Sequence, residues 1–209
     1  MASGNKYPYS QAREIAEMLV QAMTPFSDRI EIAGSLRRKK PLVSDIEICV
    51  IPRWEGRPDT TSLFGDEIQV NLLHEWAVNQ GLFHWIKPGE IDLEDLIIER
   101  DAGTLVNWEI KPDGNYWRGL LPENIKLDLF VTSPECWAQI FTIRTGSAEF
   151  SHALMTHAKF TRKTPFVDGR VTNYGRPVEI KEEEELFDYL QLRYVAPEHR
   201  VDGNVLREK

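Results

Sequence analysis

Between Asp45 and Ile51 the chain alternates in a way few folds satisfy. Ile46, Ile48 and Val50 fall on one face of an extended strand, and Asp45, Glu47 and Cys49 fall on the other. The apolar face asks for a core. Two carboxylates side by side on the opposite face repel and raise each other's pKa. A half-solvated edge strand with its acids in water is one way out. A divalent cation between the acids is another: hard carboxylate oxygens on a rigid strand suit Mg²⁺, which takes one or two carboxylates together with substrate phosphates. The stretch ahead of the pair favours the cation. Gly34 removes a side chain where a phosphate would approach the backbone, and Ser35 adds a hydroxyl donor. Arg37, Arg38, Lys39 and Lys40 then put four positive charges between that turn and the acids. Amides and a hydroxyl on outer phosphates, with a metal at the reacting end, form a layout for a nucleoside triphosphate. A basic run by itself reads equally as a solvated loop.

The 209 residues, 42% of them hydrophobic, suffice for one domain or two small subdomains sharing an interface. No apolar run is long enough to span a bilayer, and Met1 to Tyr7 has no signal-type apolar core, so no membrane association is expected. Two cysteines, Cys49 and Cys136, form no disulfide framework and read as core thiols of an intracellular, cytoplasmic protein. The net charge of −8 argues against non-specific coating of nucleic acid but leaves room for a local basic groove.

Along the chain, Ser10 is expected to cap a helix carrying Ala12, Ile15, Ala16, Leu19 and Met23, ended by Pro25. Arg29 to Ala33 reads as a strand running into the Gly34-Ser35 turn, Pro52 to Pro58 as a loop, and Asp66 to Asn79 as a helix with a cap at Gly81. Strands are expected at Leu82 to Ile86, Leu96 to Glu99, Leu105 to Ile110 and Tyr116 to Leu120, with a turn at Pro112 to Asn115 and Trp85, Trp108 and Trp117 packing the sheet. Ile125 to Val131 is a second telling strand. Leu127, Leu129 and Val131 share one face, and Asp128 stands on the other and needs a partner. Beside the Asp45/Glu47 strand it would bring three carboxylates together. Ser133-Pro134-Glu135 should open a helix packed by Trp137, Ile140 and Phe141, and Ser147 should cap another with Phe150, Leu154 and Ala158 inward. Lys159, Arg162 and Lys163 form a second basic patch. A small sheet over Phe166 to Ile180 precedes an acidic helix, Glu182 to Leu190, whose glutamates suit a helix N-terminus.

These motifs together resemble family X DNA polymerases, the DNA polymerase β type of nucleotidyltransferase. Gly34-Ser35-Leu36-Arg37-Arg38 followed by Asp45-Ile46-Glu47 is similar to the family's Gly-Ser motif and first two metal ligands. Lys126-Leu127-Asp128-Leu129 resembles its third-ligand strand, and Thr145-Gly146-Ser147 with Phe150 its nucleotide-selecting turn. Glu185-Leu186-Phe187 through Tyr194, Pro197 and Arg200 resembles the end of its last subdomain. Four departures stand out. Glu47 replaces the family's second Asp, Ser44 replaces a glycine, and Ile143 and Arg144 stand where an aromatic pair is usual.

The resemblance implies an α+β fold: a nucleotidyltransferase palm over residues 1–134, with a mixed or antiparallel sheet and helices on one face, then a small α/β thumb-like subdomain over residues 135–209. No lyase or helix-hairpin-helix domain is expected, a minimal form as in some viral members. It implies two Mg²⁺ ions, with Mn²⁺ as a substitute, on Asp45, Glu47 and Asp128 as catalytic ligands. Nucleotide contacts fall on Gly34, Ser35, Arg38, Ser44, Arg144, Gly146, Ser147 and Ser151, with Lys6 near the pyrophosphate. Nucleic-acid contacts fall on Lys39, Lys40, Lys159 and Lys163. The expected activity is DNA polymerase-type nucleotidyl transfer by a monomer, from a nucleoside triphosphate to a primer on gapped or primed DNA, in gap-filling or repair. The alternatives are a nucleotidyltransferase for a protein or small-molecule hydroxyl, a template-independent terminal transferase, and a non-catalytic nucleotide- or DNA-binding module.

Overall fold

The acid-bearing strand lies inside a five-stranded mixed sheet, next to the strand of Asp128. A computed structural model describes residues 5–61, 65–79, 107–110, 115–121 and 123–209. The elements run β1 (Tyr7–Pro8), α1 (Tyr9–Met23), β2 (Ser27–Ile32), the single helical turn α2 (Gly34–Arg37), β3 (Leu42–Val43), β4 (Asp45–Pro52), β5 (Trp54–Pro58), β6 (Glu67–Asn71), α3 (Leu72–Asn79) and β7 (Asn107–Ile110). There follow β8 (Tyr116–Leu120), β9 (Lys126–Val131), α4 (Trp137–Thr145), α5 (Ala148–Thr156), β10 (Phe166–Val167), β11 (Arg170–Asn173), β12 (Arg176–Pro177) and α6 (Glu183–Tyr189). The sheet order is β2-β4-β9-β8-β7, with β4 and β9 parallel and the other pairs antiparallel. The fold is α+β.

Alternation in β4 and β9 decides what covers each face. Ile46, Ile48, Val50, Leu127 and Leu129 are buried against Ala12, Ala16 and Met23 of α1 and Leu73 and Ala77 of α3. Helices were expected on this face alone, but α4 lies on the other. There Cys49, Ile51 and Phe130 leave the far half of the acid face apolar, and Trp137 and Phe141 cover it. Burying such aromatic side chains is worth about 1.5–3 kcal/mol each. On its other side α4 sets Ala138 into the C-terminal core of Phe150, Leu154, Leu186, Phe187 and Leu190. Buried on both sides, α4 shows no single amphipathic stripe in its sequence.

Several local expectations are corrected. Trp54–Pro58 is a strand, not a loop, and Glu67–Asn71 is its antiparallel partner rather than the start of a helix. Ile68 is accordingly 46% exposed, and Asn71 Oδ1 accepts from the His74 backbone N–H to start α3. Helix α1 begins one residue before Ser10, after the β1–β3 pairing, where the Tyr9 N–H donates to Pro41 O. Helix α4 begins at Trp137, because Ser133 to Cys136 closes a turn with the Cys136 N–H on Ser133 O. Cys136 is partly exposed rather than a core thiol. The strands expected at Leu82 to Ile86 and Leu96 to Glu99, the cap at Gly81, most of the Pro112 to Asn115 turn and the side chains of Trp85 and Trp108 lie outside the described residues; Trp117 is buried as expected. Among the described residues no helix is long and apolar enough to cross a membrane.

Candidate active site

Register brings the acids together. Parallel pairing of β4 and β9 sets Glu47 opposite Asp128 and Asp45 opposite Lys126, and antiparallel pairing of β9 and β8 sets Asp128 opposite Arg118. A row Glu47–Asp128–Arg118 therefore crosses the sheet on one face, and the next row is Cys49–Phe130–Tyr116. Asp128, 9% exposed, accepts at Oδ1 from Arg118 Nε at 3.0 Å and Tyr116 Oη at 2.7 Å. Tyr116 stacks on Phe130 at 5.1 Å between ring centroids, and Arg144 Cζ stands 4.0 Å from the Phe130 centroid. These contacts hold Asp128 in place through Oδ1.

Asp45 and Glu47 sit in a different environment. Among the described residues neither makes a salt bridge or a side-chain hydrogen bond. Burial, then the charge of Asp45, pushes the Glu47 carboxyl up to about 7, against the opposing pull of Arg38. Burial, then the charge of Asp128, raises Asp45. The like-charge conflict expected of the strand is present. Glu47 relieves part of it by turning toward Gly34, whose φ is +59°. A Cβ on Gly34 would lie 1.8 Å from Glu47 Oε2, so the space that glycine leaves accommodates the acid. With Glu47 turned aside, no three acidic, histidine or cysteine side chains among the described residues converge as a ready metal cage. The donor set still suits a hard divalent cation: three carboxylates on one face, two without partners and held above their ordinary protonation range.

Two cavities flank Glu47. One, of about 380 Å³, is lined by Lys6, Ser35, Arg38, Lys40, Ser44 and Asp45 and closed by the start of α5. Among the described residues Ser35 Oγ and Arg38 Nε are buried without a partner, two donors that want an acceptor. Arg38 also donates from Nη1 to Thr145 O at 2.5 Å, and burial lowers its pKa despite the nearby acids. The other cavity, of about 340 Å³, lies between Glu47, Arg144, Gly146, Ser151 and Met155. Gly146 is needed there, because a Cβ would meet Phe150 Cδ1 at 2.4 Å.

The basic run divides. Arg37 donates through Nη1 and Nη2 to Glu183 at 3.0 and 2.6 Å and from Nη1 to Thr145 Oγ1 at 2.7 Å. Lys39 pairs with Glu198 at 2.6 Å. Arg38 and Lys40 remain at the first cavity. Ser147 caps α5 by accepting from the Phe150 N–H, and its hydroxyl donates to Val201 O at 2.6 Å, so its oxygen is already committed. Ser151 likewise donates to Ile143 O. Lys159 and Lys163 stand exposed beyond the far end of α5, and Lys159 Nζ lies 5.2 Å from the Phe160 ring centroid.

Sequence reasoning missed Tyr116 and Arg118, although the alternation Tyr116-Trp117-Arg118 in a strand already set both on the face opposite a buried tryptophan. It also took the Glu182 to Glu185 run as a helix-start feature. Glu183 is 4% exposed and bonded to Arg37, Thr142 and Arg200, a pairing that nothing local signals.

Residues 141–201 match the family model for the DNA polymerase beta thumb. No curated protein matches the chain.

Proposed function

We propose that this chain, family X polymerase-like by its motifs and its thumb, transfers a nucleotide from a (deoxy)nucleoside triphosphate to a DNA primer 3′-hydroxyl, in short gap-filling or repair synthesis. The carrying observation is the shared face of Asp45, Glu47 and Asp128 beside a cavity where Ser35 Oγ and Arg38 Nε lack acceptors. In this reading residues 1–134 act as the palm, residues 135–209 as the thumb, and the enzyme works as a monomer.

Asp45, Glu47 and Asp128 would hold two Mg²⁺ ions, or Mn²⁺ in their place. When bound, such ions lower the pKa of an attacking hydroxyl and offset charge on the triphosphate. Asp128, fixed through Oδ1 by Arg118 and Tyr116, would take up the proton that the attacking hydroxyl gives up. The primer oxygen forms its bond to the α-phosphorus as the bond to the bridging oxygen breaks, and pyrophosphate leaves. Ser35, Arg38, Lys6 and Lys40, with the Ser44 amide, receive the charge that builds on the leaving pyrophosphate. Gly146 leaves room for the sugar between Glu47 and α5.

Single-turnover extension of gapped DNA with Mg²⁺ tests the reading. Asp128→Ala should abolish product. Extension by that variant at the wild-type rate refutes the assignment. The net charge of −8 favours a second reading, transfer to a protein or small-molecule hydroxyl. Labelled nucleotide appearing on a non-DNA acceptor, with none on the primer, would select it.

A further inference from the structure

A third cavity, of about 530 Å³, opens beside Tyr116 and Arg144, and apart from those two its lining takes in none of the residues given a catalytic or nucleotide-binding role above. Its volume lies within the range of small-molecule sites, about 300–1,000 Å³. Tyr116, in its wall, donates to Asp128, and Arg144 lines both this cavity and the one at Gly146. It therefore adjoins the candidate active site rather than standing apart from it.

Its lining has three kinds of group. Trp54, 55% exposed, offers an open ring, and Tyr116, 39% exposed, adds a partly exposed ring already stacked on Phe130 with Arg118 Cζ 5.3 Å from its centroid. Two guanidinium groups, Arg144 and Arg170, face it with one acid, Asp168. Thr132, whose buried Oγ1 has no partner among the described residues, lies in its wall. An apolar ligand has no use for two guanidinium groups, and a bare anion has none for the ring faces. A nucleobase with its phosphate uses all three: stacking on the rings, a charge-assisted contact to arginine, and a hydrogen bond from a base edge to the free hydroxyl.

Charge decides which nucleotide. A triphosphate already has a cavity with Lys6, Arg38 and Lys40. Two cations offset by Asp168 suit the single charge of a phosphodiester. We propose that this cavity receives one unpaired nucleotide of the nucleic-acid strand beside the active site, its base against Trp54 and its phosphate at Arg144 and Arg170. The proposal rests on the reading that the substrate is DNA.

The test measures binding of labelled duplex DNA with a single-stranded overhang, and of the same duplex blunt-ended, to the full chain. Trp54→Ala should weaken overhang binding about tenfold and leave the blunt duplex unchanged, and Trp54→Phe should restore most of the loss. Arg170→Ala should lower the salt slope of overhang binding by about one. Wild-type affinity of Trp54→Ala for the overhang, or no overhang preference in the wild type, overturns the proposal. If a free mononucleotide quenches Trp54 fluorescence and overhang DNA does not, the strand assignment is overturned in favour of a free-nucleotide site. Extension by the wild type run in parallel separates the two readings. Overhang preference lost in Trp54→Ala without any extension supports the cavity while the polymerase reading fails. Extension without overhang preference sinks the cavity alone.

Discussion

Replacing Glu183 by alanine should destabilise the fold far more than removing its neighbour Glu182. Glu183 has a side chain 6% exposed and accepts from Arg37, from Thr142 Oγ1 at 3.1 Å and from Arg200 Nη1 at 2.5 Å. Arg200 is fully buried; among the described residues its Nη2 has no partner, and its other side-chain hydrogen bond runs from Nε to Val195 O. Truncating Glu183 thus leaves a guanidinium inside the protein without its counter-charge. Breaking a buried pair in this way costs about 3–5 kcal/mol. Glu182 also binds an arginine through two bonds of 2.8 Å, to Arg29, but it is 50% exposed, and an exposed pair is worth about 0–1 kcal/mol. With a urea m-value of about 3 kcal/mol/M, Glu183→Ala should lower the unfolding midpoint by about 1–1.7 M and Glu182→Ala by at most about 0.3 M. Equal shifts for the two variants refute the reasoning, since burial is what separates them. Well below the unfolding transition, Glu183→Ala should also slow single-turnover extension, because Arg37 shares the α2 turn with Ser35 and adjoins Arg38.

Glu47 gives a pH signature. Its folded-state pKa, about 7, exceeds the ordinary 4.5, so the folded protein keeps a proton that the unfolded chain loses. This group's contribution to stability is fully present below pH about 4.5 and is lost as pH rises through about 7; melting scans in chelator should show that fall, and Glu47→Gln should flatten it. Gly34→Ala should lower stability by about 1–3 kcal/mol and cut extension sharply, since it combines a left-handed φ with a Cβ on top of the Glu47 carboxylate. Unfolding that matches wild type would show that Glu47 moves away freely.

The two acid-bearing strands were legible because each is settled by alternation over a few residues. In Asp45–Ile51 and Lys126–Val131, burial on one face forces the acids onto the other, whatever the rest of the chain does. The Ser147 cap and the inward set of α6 were legible for the same local reason. Glu67–Asn71 was not: Ile68, Leu72, Trp76 and Ala77 fit a helical period, and only pairing with Trp54–Pro58 turns the first part into a strand. Helix α4 was legible through Trp137, Ile140 and Phe141, but its place across the acid face was not, because it is buried on two sides and shows no single stripe.

The basic run shows most plainly where local reading stops. Arg37 and Arg38 are consecutive in a helical turn, so their side chains point about 100° apart. The sequence puts both in one basic run beside the candidate phosphate turn, and only the resemblance singles out Arg38 for the nucleotide. In the fold Arg37 turns to Glu183 and Thr145, and Arg38 turns to the cavity beside Asp45. Lys39 reaches Glu198, and Arg38 itself touches Thr145 O. The loop that lines the candidate phosphate cavity is thus fastened at three consecutive residues to the C-terminal third of the chain. Docking of that third therefore helps to set where Arg38 stands. A shift of the C-terminal third on the sheet would act first on Arg38, through its bond to Thr145 O, and so on the charge the cavity presents beside Asp45.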